Sequence, residues 1–453
     1  QMVGIHVKTS MISRARLAYL IVLAKVLLVY AAQTSAALSI EQALTLATER
    51  DPWIDGSRYR QQALEAQSTA AGSLPDPVVN AGFANLPTDT FDFNQEAMSQ
   101  FKVGVVQALP RGDSLALRQR QLDLLGKQHP YQRENRRARV AAEVSGLWLD
   151  AWRTRETIRL IETDRNLFEQ LVDVAESNYA NSLDGTRQQD LVRAQLELTR
   201  LEDRLVLLHE ALETALSHLD QWLQGADVYS PSTSAQDLSP ALPSIGLLSP
   251  ELFAGREKLS QQSLAEVLRD HPAIRATDWK LGASDTGIEL AEQSYHPQWQ
   301  LSASYGYRDD DPAGADRADF FSFGVSFDVP LFTAKRQDQG IRSAVATAES
   351  VRTERALLLR ELAAGLSAQH ARLQRLDQRE ALYASRLLSQ MSEQAEASLA
   401  AYTNDDGDFA EVVRAKIAEL NANIDAIGIK VERQKTIAQL NYFLASSHDL
   451  EGQ

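Results

Sequence analysis

Residues 320–329 read Phe-Phe-Ser-Phe-Gly-Val-Ser-Phe-Asp-Val, and every second residue of this stretch is apolar. The apolar positions are Phe321, Phe323, Val325, Phe327 and Val329. Small or polar residues fill the positions between them. An alternation with period two over ten residues predicts a β-strand with one apolar face and one small or polar face.

Three further segments carry a related pattern. Residues 298–307 alternate between polar or small residues and an apolar set, which is Trp299, Leu301, Ala303, Tyr305 and Tyr307. In the first half of the chain, a similar face is formed by Phe101, Val103, Val105 and Leu109, and a weaker one by Val79, Ala81 and Phe83. The sequence therefore predicts four strands.

Ten-residue strands with one apolar face and aromatic ends are typical of a membrane β-barrel wall. We expect the lipid-facing residues to be Trp299, Leu301, Tyr305, Phe321, Phe323, Val325, Phe327, Phe101, Val103 and Val105. A soluble sandwich also has alternating strands, but it does not explain a face so rich in Phe. Four strands are too few to close a membrane barrel, and open edges are not tolerated in lipid, so several chains must share one barrel.

The amino-acid composition excludes several classes of function. The chain has 453 residues, 61 acids and 46 bases, which gives a net charge of −15. This acid excess argues against a nucleic-acid partner, because nucleic acid requires a basic face. The chain has no cysteine, which excludes disulfides, thiolate metal sites and cysteine nucleophiles. With few Gly and Pro and an abundance of Leu, Ala, Gln, Arg and Glu, most of the chain should be helical.

The chain is predicted to contain an internal duplication, in which one structural unit occurs twice. Three prolines recur 220 residues later, so that Pro52, Pro77 and Pro110 correspond to Pro272, Pro297 and Pro330. The sequence predicts a first repeat over residues 38–224, an irregular linker over 225–257 and a second repeat over 258–453. Each repeat reads helix, two strands, long helix, turn and helix.

The helix boundaries follow from caps and prolines. We expect helices over residues 40–71, with Ser39 as the N-cap, and over 261–294, with Asp51-Pro52 and His271-Pro272 inside these helical segments. Long helices are predicted over about 113–179 and 334–402. Pro130 should break or kink the first of them.

Residues 1–37 have the composition of an export signal. They contain four basic residues and no acid, an apolar run over 17–32, and small residues at 35–37. A membrane anchor helix is the alternative, but the run is short and Lys25 interrupts it.

Two turns between long helices resemble each other. The first reads Tyr179-Ala-Asn-Ser-Leu-Asp-Gly-Thr-Arg-Gln-Gln-Asp-Leu-Val-Arg-Ala194, and the second reads Tyr402-Thr-Asn-Asp-Asp-Gly-Asp-Phe-Ala-Glu-Val-Val-Arg-Ala415. In both, a helix is predicted to end near Tyr, to cross a Gly turn and to restart as an antiparallel neighbour.

The order of these elements resembles the TolC-like outer-membrane efflux ducts of Gram-negative bacteria, which are also called outer membrane factors. The stretches Leu74-Pro-Asp-Pro77, Asn85-Leu-Pro87 and Gln107-Ala-Leu-Pro-Arg-Gly112, together with Met98, are similar to the branch that serves metal-cation pumps. The resemblance implies a mainly α fold with a shared twelve-stranded barrel in a homotrimer. It further implies an α-helical tunnel in the periplasm, contacts with outer-membrane lipid, a periplasmic adaptor protein and an inner-membrane pump of the RND type.

The resemblance also implies a gate at the second turn. In this family, acids in that turn often constrict the tunnel tip, and the matching acids here are Asp405, Asp406, Asp408 and Glu411. Arg414 stands where some relatives have Asp. The counterparts in the first half are Asp184, Arg187, Asp190 and Arg193, and charge pairs between the two sets are expected to hold the tip shut. A ring of carboxylates would favour cations, although an ordinary solvated turn has the same composition.

A catalytic role is disfavoured. Gly112-Asp113-Ser114-Leu115 matches a lipase tetrapeptide, but the chain has no Asp-x-x-His pair that would activate Ser114. These residues are instead predicted to form a strand-to-helix turn with an N-cap. His and Met are scattered, so no metal site and no cofactor are expected. The sequence thus favours a passive exit duct for metal cations or small toxic compounds. A type I protein secretion duct and an exported coiled-coil stalk or adhesin remain as alternatives.

Overall fold

The computed structural model describes residues 37–181, 188–224, 233–253, 260–404 and 408–446. The predicted export signal therefore lies outside the described residues, apart from Ala37. Four of the predicted gate residues also lie outside them, namely Asp184, Arg187, Asp405 and Asp406.

Most of the described chain is helical. Within these ranges nine α-helices occur in chain order: α1 Ile40–Glu49, α2 Pro52–Ala71, α3 Ser114–Asn181, α4 Gln188–Leu223, α5 Gln261–Arg269, α6 Pro272–Glu292, α7 Gln337–Leu382, α8 Leu388–Thr403 and α9 Phe409–Phe443. The four strands are β1 Val78–Ala84, β2 Gln100–Leu109, β3 Trp299–Tyr307 and β4 Phe320–Phe327. Each predicted strand is present, with its ends shifted by one or two residues.

The two prolines expected inside helices begin new helices instead. Ser39 caps α1 as predicted, because its hydroxyl accepts from Gln42 N at 3.2 Å and Gln42 Oε1 accepts from Ser39 N at 3.1 Å. Helix α1 then ends at Glu49, and Asp51 caps α2 by accepting from Trp53 N at 3.0 Å. The expectation of one helix over 40–71 was therefore wrong. The first helical position suits proline, which has no N–H to offer the preceding turn.

The second half repeats this correction with a different cap. Helix α5 ends at Arg269, and the Nδ1 atom of His271 accepts from Ala273 N at 3.2 Å at the start of α6. Pro272 is again the first helical residue. Histidine is an unusual N-cap, and nothing in the sequence distinguished His271 from an ordinary residue inside a helix.

The long helices differ from expectation in opposite ways. Helix α3 continues through Pro130, so the break is ruled out, and the kink offered with it stays a prediction. An interior proline costs about 3 kcal/mol, and tertiary packing is the main source of helix stability in proteins. His129 and Tyr131, on either side of this proline, are both buried. The proline-free helix predicted over 334–402 is instead interrupted by a π-helical segment, Tyr383–Leu387, between α7 and α8.

The strands form one antiparallel sheet in the order β1-β2-β3-β4. Val103 pairs with Tyr305, which in turn pairs with Phe321, and Leu109 pairs with Trp299. Directly paired residues point to the same face of a sheet. The register therefore brings the apolar positions of all four strands onto one face.

The chain divides into two compact units. The first comprises Gln1–Arg50, Val140–Gly246 and Arg372–Ala438. Its hydrophobic core includes Trp148, Leu149, Ile161 and Phe409. The linker residue Pro240 is held to this unit by a hydrogen bond, since Trp152 Nε1 donates to Pro240 O at 3.1 Å.

The second unit comprises Asp51–Arg139, Leu247–Ala371 and Gln439–Gln453, and it contains the sheet. An ion pair between Asp51 and Arg136, at 2.7 Å, joins the start of α2 to α3. His271 is fully buried and its Nε2 lies 3.1 Å from Tyr442 O. In the described ranges, no helix combines the length and the apolar character needed to cross a membrane.

Candidate membrane face and candidate gate

All ten residues predicted to face lipid lie on one face of the sheet. They are Phe101, Val103, Val105, Trp299, Leu301, Tyr305, Phe321, Phe323, Val325 and Phe327. The face is largely uncovered: Phe321 is 74% exposed and Phe323 is 67% exposed. An uncovered apolar patch of this extent marks a surface that contacts lipid or another protein.

Aromatic rings gather at both ends of this face. The rings of Trp299 and Phe327 lie 4.5 Å apart at one end. At the other end, Phe83 lies 5.2 Å from Phe101, and Tyr307 stacks on Phe93 at 6.4 Å. Nine residues of β3 span roughly 26 Å along the strand. With the usual strand tilt of a barrel this gives a band about 20 Å high, which is comparable to the apolar band of membrane barrels.

The opposite face of the sheet carries Val78, Val106 and Phe320 but otherwise mainly small and polar residues. They include Gly104, Ser302, Ser304, Ser322, Gly324 and Ser326. A Cβ at Gly104 would lie 3.3 Å from Ser304 Cβ, so this face is closely packed where strands meet. The serine hydroxyl groups of this face suit contact with water, as in the interior of a membrane barrel.

Both edges of the sheet are open within the described chain. There, β1 pairs with β2 alone and β4 pairs with β3 alone. One side of each edge strand therefore presents backbone N–H and C=O groups that can pair with another strand.

The loops at one end of the sheet are joined by two arginines. Arg308 donates from Nη1 to Ala97 O and from Nε to Ala318 O, both at 2.9 Å. Arg317 Nη1 donates to Asn94 O at 3.2 Å. These contacts connect the loop between β1 and β2 with the loop between β3 and β4.

At the opposite end, Arg111 connects three strand ends. Its guanidinium pairs with Asp328 after β4 and donates to His296 O, just before β3, at 2.7 Å. Gly112 follows with a φ of +41°, and α3 begins at Ser114. The predicted strand-to-helix turn is confirmed over residues 111–113, and Ser114 is the first residue of the helix that follows it.

The described gate residues lie at the starts of α4 and α9. Asp408 caps α9, because its Oδ1 accepts from Ala410 N at 3.0 Å and its carbonyl oxygen accepts from Glu411 N at 3.0 Å. Glu411 pairs with Arg414 at 3.5 Å along the same helix, and both side chains are exposed. Arg414 Nε also donates to Ala410 O at 3.2 Å. This arginine is therefore engaged within its own helix.

In the first half, Asp190 lies in the first turn of α4 and is half-buried, while Arg193 is exposed. Because the loops that precede these helices are outside the described residues, the expected charge pairs across the two turns stay a prediction.

An apolar anchor that was not predicted from the sequence lies beneath the second turn. Phe409 is 1% exposed, and its ring contacts Tyr402 at 5.4 Å across the turn. Val412 and Val413 are also buried. An aromatic residue two positions after a Gly turn, followed by a Val pair, was the available signal. The anchor fixes the position of Asp408, the residue next to it.

Several titratable groups that lie outside the sheet have pKa values shifted by burial. Burial lowers the pKa of His271 to about 4, despite the opposing hydrogen bond that its Nε2 donates to Tyr442 O. Burial, with help from the nearby Glu419 carboxylate, raises the pKa of Asp164. In the part of the chain that the structure describes, no group of three or more His, Asp or Glu residues could hold a metal ion.

No protein-family profile matches this chain, and no curated protein sequence matches it. Solved structures do match. The chain is similar to the outer-membrane channel OprN, with 16% identity and a TM-score of 0.71 over 90% of each chain. It is similar to the outer membrane protein VceC of Vibrio cholerae, with 15% identity and a TM-score of 0.70 over 90% of this chain and 96% of that one.

It is also similar to the open state of the MtrE outer membrane channel of Neisseria gonorrhoeae, with 16% identity and a TM-score of 0.68 over 90% of this chain and 89% of that one. At these identities the similarity establishes the fold. The chain has the fold of the outer-membrane channels to which the TolC-like resemblance pointed.

Proposed function

We propose that this chain is one protomer of an outer-membrane exit duct of a Gram-negative bacterium. The observation that carries the proposal is the uncovered apolar face of a four-stranded sheet with two open edges. The shared fold with OprN, VceC and MtrE supports it. The protein acts as a passive conduit without catalysis of its own.

The proposed assembly is a homotrimer. Three copies of the sheet supply twelve strands, and β4 of one copy pairs with β1 of the next until the ring closes. Ring closure gives the edge strands hydrogen-bond partners, which backbone groups in lipid require. It also places the apolar face against lipid. The small and polar face then lines the pore.

The two sequence repeats, residues 38–224 and 258–453 around a linker at 225–257, supply two strands each to this barrel. Residues 1–37 act as the export signal. The helices form a periplasmic tunnel, which an adaptor protein joins to an inner-membrane pump of the RND type. The cargo consists of metal cations or small toxic compounds. These finer features rest on the resemblance of the sequence to TolC-like ducts.

Ring closure can be tested with disulfide bonds, because the chain has no native cysteine. Ala81 lies on β1 and Phe321 and Phe323 lie on β4, all on the apolar face. The paired variants Ala81→Cys/Phe321→Cys and Ala81→Cys/Phe323→Cys sample two registers between copies. A disulfide needs Cα atoms within about 7 Å, so only adjacent strands cross-link.

We expect mild oxidation of at least one pair to give covalent dimers and trimers and no larger species. The matched control is Val103→Cys/Phe323→Cys, whose β2 position is internal to the sheet. It should give no multimers. An open ladder of ever larger species, or monomers from both edge pairs, would contradict a closed trimer.

We further propose that Asp405, Asp406, Asp408 and Glu411 form the cation-selective constriction, opposed by Asp184, Arg187, Asp190 and Arg193, with Arg414 held by Glu411. Asparagine removes charge but keeps the capping oxygen that Asp408 supplies to Ala410 N. The triple variant Asp405→Asn/Asp406→Asn/Asp408→Asn should lower the cation-to-anion permeability ratio and leave trimer yield unchanged. Glu393→Gln, an exposed acid of α8, is the matched control. Equal cation-to-anion permeability ratios in the native protein, the triple variant and the Glu393→Gln control would contradict the proposal that these acids form the selectivity filter.

A further inference from the structure

The segment between β4 and α7 exposes large apolar side chains beyond the end of the sheet. Phe332 is 91% exposed, and no other large apolar residue in the described ranges is as exposed. Leu331, next to it, is 74% exposed. Two adjacent bulky side chains in solvent are costly for a soluble surface, so a binding partner is expected to cover them.

The turn itself does not require apolar side chains. The equivalent positions of the first repeat, 220 residues earlier, hold Arg111 and Gly112. There the arginine pairs with Asp328, and the glycine adopts a φ of +41° before α3 begins. Both repeats thus pass from strand to helix, but only the second presents Leu331 and Phe332.

This apolar pair continues the candidate membrane face. Phe327 ends β4 beside Trp299, and Val329, two residues later, is also exposed. The backbone N–H of Asp328 still donates to Gln298 O at 3.4 Å, so the segment leaves the sheet at its Trp299 end.

Positive charge follows the apolar pair immediately. The chain turns at Thr333, whose carbonyl oxygen accepts from Arg336 N at 3.1 Å. Lys335 and Arg336 are both exposed at this turn. Bulky apolar side chains next to basic groups, at the edge of an apolar band, match the boundary between acyl chains and anionic headgroups.

We propose that Leu331 and Phe332 form an interfacial lipid anchor, with Lys335 and Arg336 contacting headgroup phosphates of the leaflet at the Trp299 end of the sheet. The inference rests on the proposed barrel function. It adds a lipid contact outside the strands, made by a loop whose counterpart in the first repeat lacks it. In a trimer the anchor would occur three times around the barrel rim.

The absence of native cysteine allows single-site labelling. Phe332→Cys, Phe323→Cys and Leu357→Cys are each labelled with an environment-sensitive fluorophore, and the full chain is reconstituted into vesicles containing anionic lipid. Phe323 is the barrel-wall reference, and Leu357, exposed on α7, is the water reference. Quenching is measured with lipids that carry a nitroxide near the headgroup or near the chain end, and with aqueous iodide.

At position 332 we expect the headgroup-side nitroxide to quench at least about twofold more than the chain-end nitroxide, with iodide ineffective, because an interfacial side chain sits at shallow depth. At position 323 the order of the two nitroxides should reverse. Position 357 should respond to iodide alone. The added changes Lys335→Gln/Arg336→Gln should weaken shallow quenching at 332 more in anionic vesicles than in zwitterionic ones, because a net negative surface attracts the basic pair more strongly.

Two results would overturn the anchor while leaving the barrel intact, provided that position 323 is quenched from within the lipid. The first is iodide quenching at 332, which places the segment in water. The second is protection of 332 from every quencher, which means that a second copy of the chain covers it. Failure of lipid quenching at 323 would overturn the barrel proposal and the anchor together.

Discussion

A charge placed on the apolar face of the sheet tests whether that face contacts lipid. Phe323 lies in the middle of β4, where it pairs with Ala303, which pairs in turn with Val105. Ser322, its neighbour in sequence, pairs with Ser304 on the opposite face. Phe323→Lys and Ser322→Lys therefore introduce the same charge at the same height on opposite faces.

The expected magnitudes follow from this placement. Lysine at the midplane of a lipid-facing strand costs about 2–4 kcal/mol per chain, a change of roughly 30- to 900-fold in the folding equilibrium. Lysine on a water-filled interior should change the free energy of unfolding by less than about 0.5 kcal/mol. If the sheet instead faced water on both sides, Phe323, already 67% exposed, would tolerate lysine equally well.

The assay is equilibrium folding from urea into lipid vesicles, followed by the shift in gel mobility that accompanies barrel folding and by tryptophan fluorescence. We predict that Phe323→Lys lowers the free energy of unfolding by at least about 2 kcal/mol more than Ser322→Lys does. Equal losses in the two variants, or a larger loss for Ser322→Lys, would refute the assignment of the apolar face to lipid.

Three further predictions concern the turns and caps, each measured by urea unfolding of the detergent-solubilised protein. Phe409→Ala should lower the free energy of unfolding by about 3–5 kcal/mol, because it empties a buried aromatic site. Glu411→Ala, on the exposed side of the same turn, should change it by less than about 0.5 kcal/mol. Gly112→Ala should cost about 1–2 kcal/mol, since its positive φ disfavours a side chain and the new Cβ would overlap Gln293 Oε1. His271, whose pKa falls from 6.5 to about 4 in the folded chain, should contribute stability that is complete above pH 6.5, declines below it and is lost near pH 4. The gap between the two pKa values is worth about 3 kcal/mol, and His271→Asn, which keeps a capping side chain, should remove this pH dependence.

Each of these predictions has a clear contrary outcome. Equal effects of the two substitutions in the second turn would mean that the Phe409 anchor does not stabilise it. Gly126 lies inside α3, and an added Cβ there meets nothing within 4 Å. Gly126→Ala should therefore be neutral or stabilising, and a loss that matches Gly112→Ala would refute the strain argument. An unchanged pH profile in His271→Asn would show that another group carries the acid sensitivity.

The sheet could be predicted from the sequence almost completely. Period-two alternation depends on the two faces of a strand alone, so Phe321 to Phe327 and Trp299 to Tyr307 identified strands, and the strands in turn indicated one shared apolar face. The strand-to-helix turn at Gly112 was equally local. Features of this kind need no knowledge of the rest of the chain.

Features that depend on distant packing could not be predicted. The continuation of α3 through Pro130 requires the burial of His129 and Tyr131 by other elements. The helix starts at Pro52 and Pro272 are local in principle, but an uninterrupted helical composition on both sides concealed them. The π-helical segment at Tyr383–Leu387 contains no Gly or Pro that would indicate an interruption of the helix.

The candidate gate was only partly accessible from sequence. The acids of the second turn were visible as composition, and Asp408 proved to be a helix cap as well as a charge. The pairing of Arg414 with Glu411 depends on the i,i+3 geometry of α9. The buried contact of Phe409 with Tyr402 depends on how the two helices meet, which the turn sequence alone does not encode.

Single-channel recording shows whether this protein forms a pore in a membrane. The purified, detergent-extracted full chain is added to a planar lipid bilayer, and the Asp405→Asn/Asp406→Asn/Asp408→Asn variant is recorded beside it. We expect discrete, cation-selective pores of small conductance from the native chain and reduced cation selectivity from the variant. A chain that neither inserts into the bilayer nor forms pores, in native or variant form, would contradict the assignment of this protein as a membrane duct.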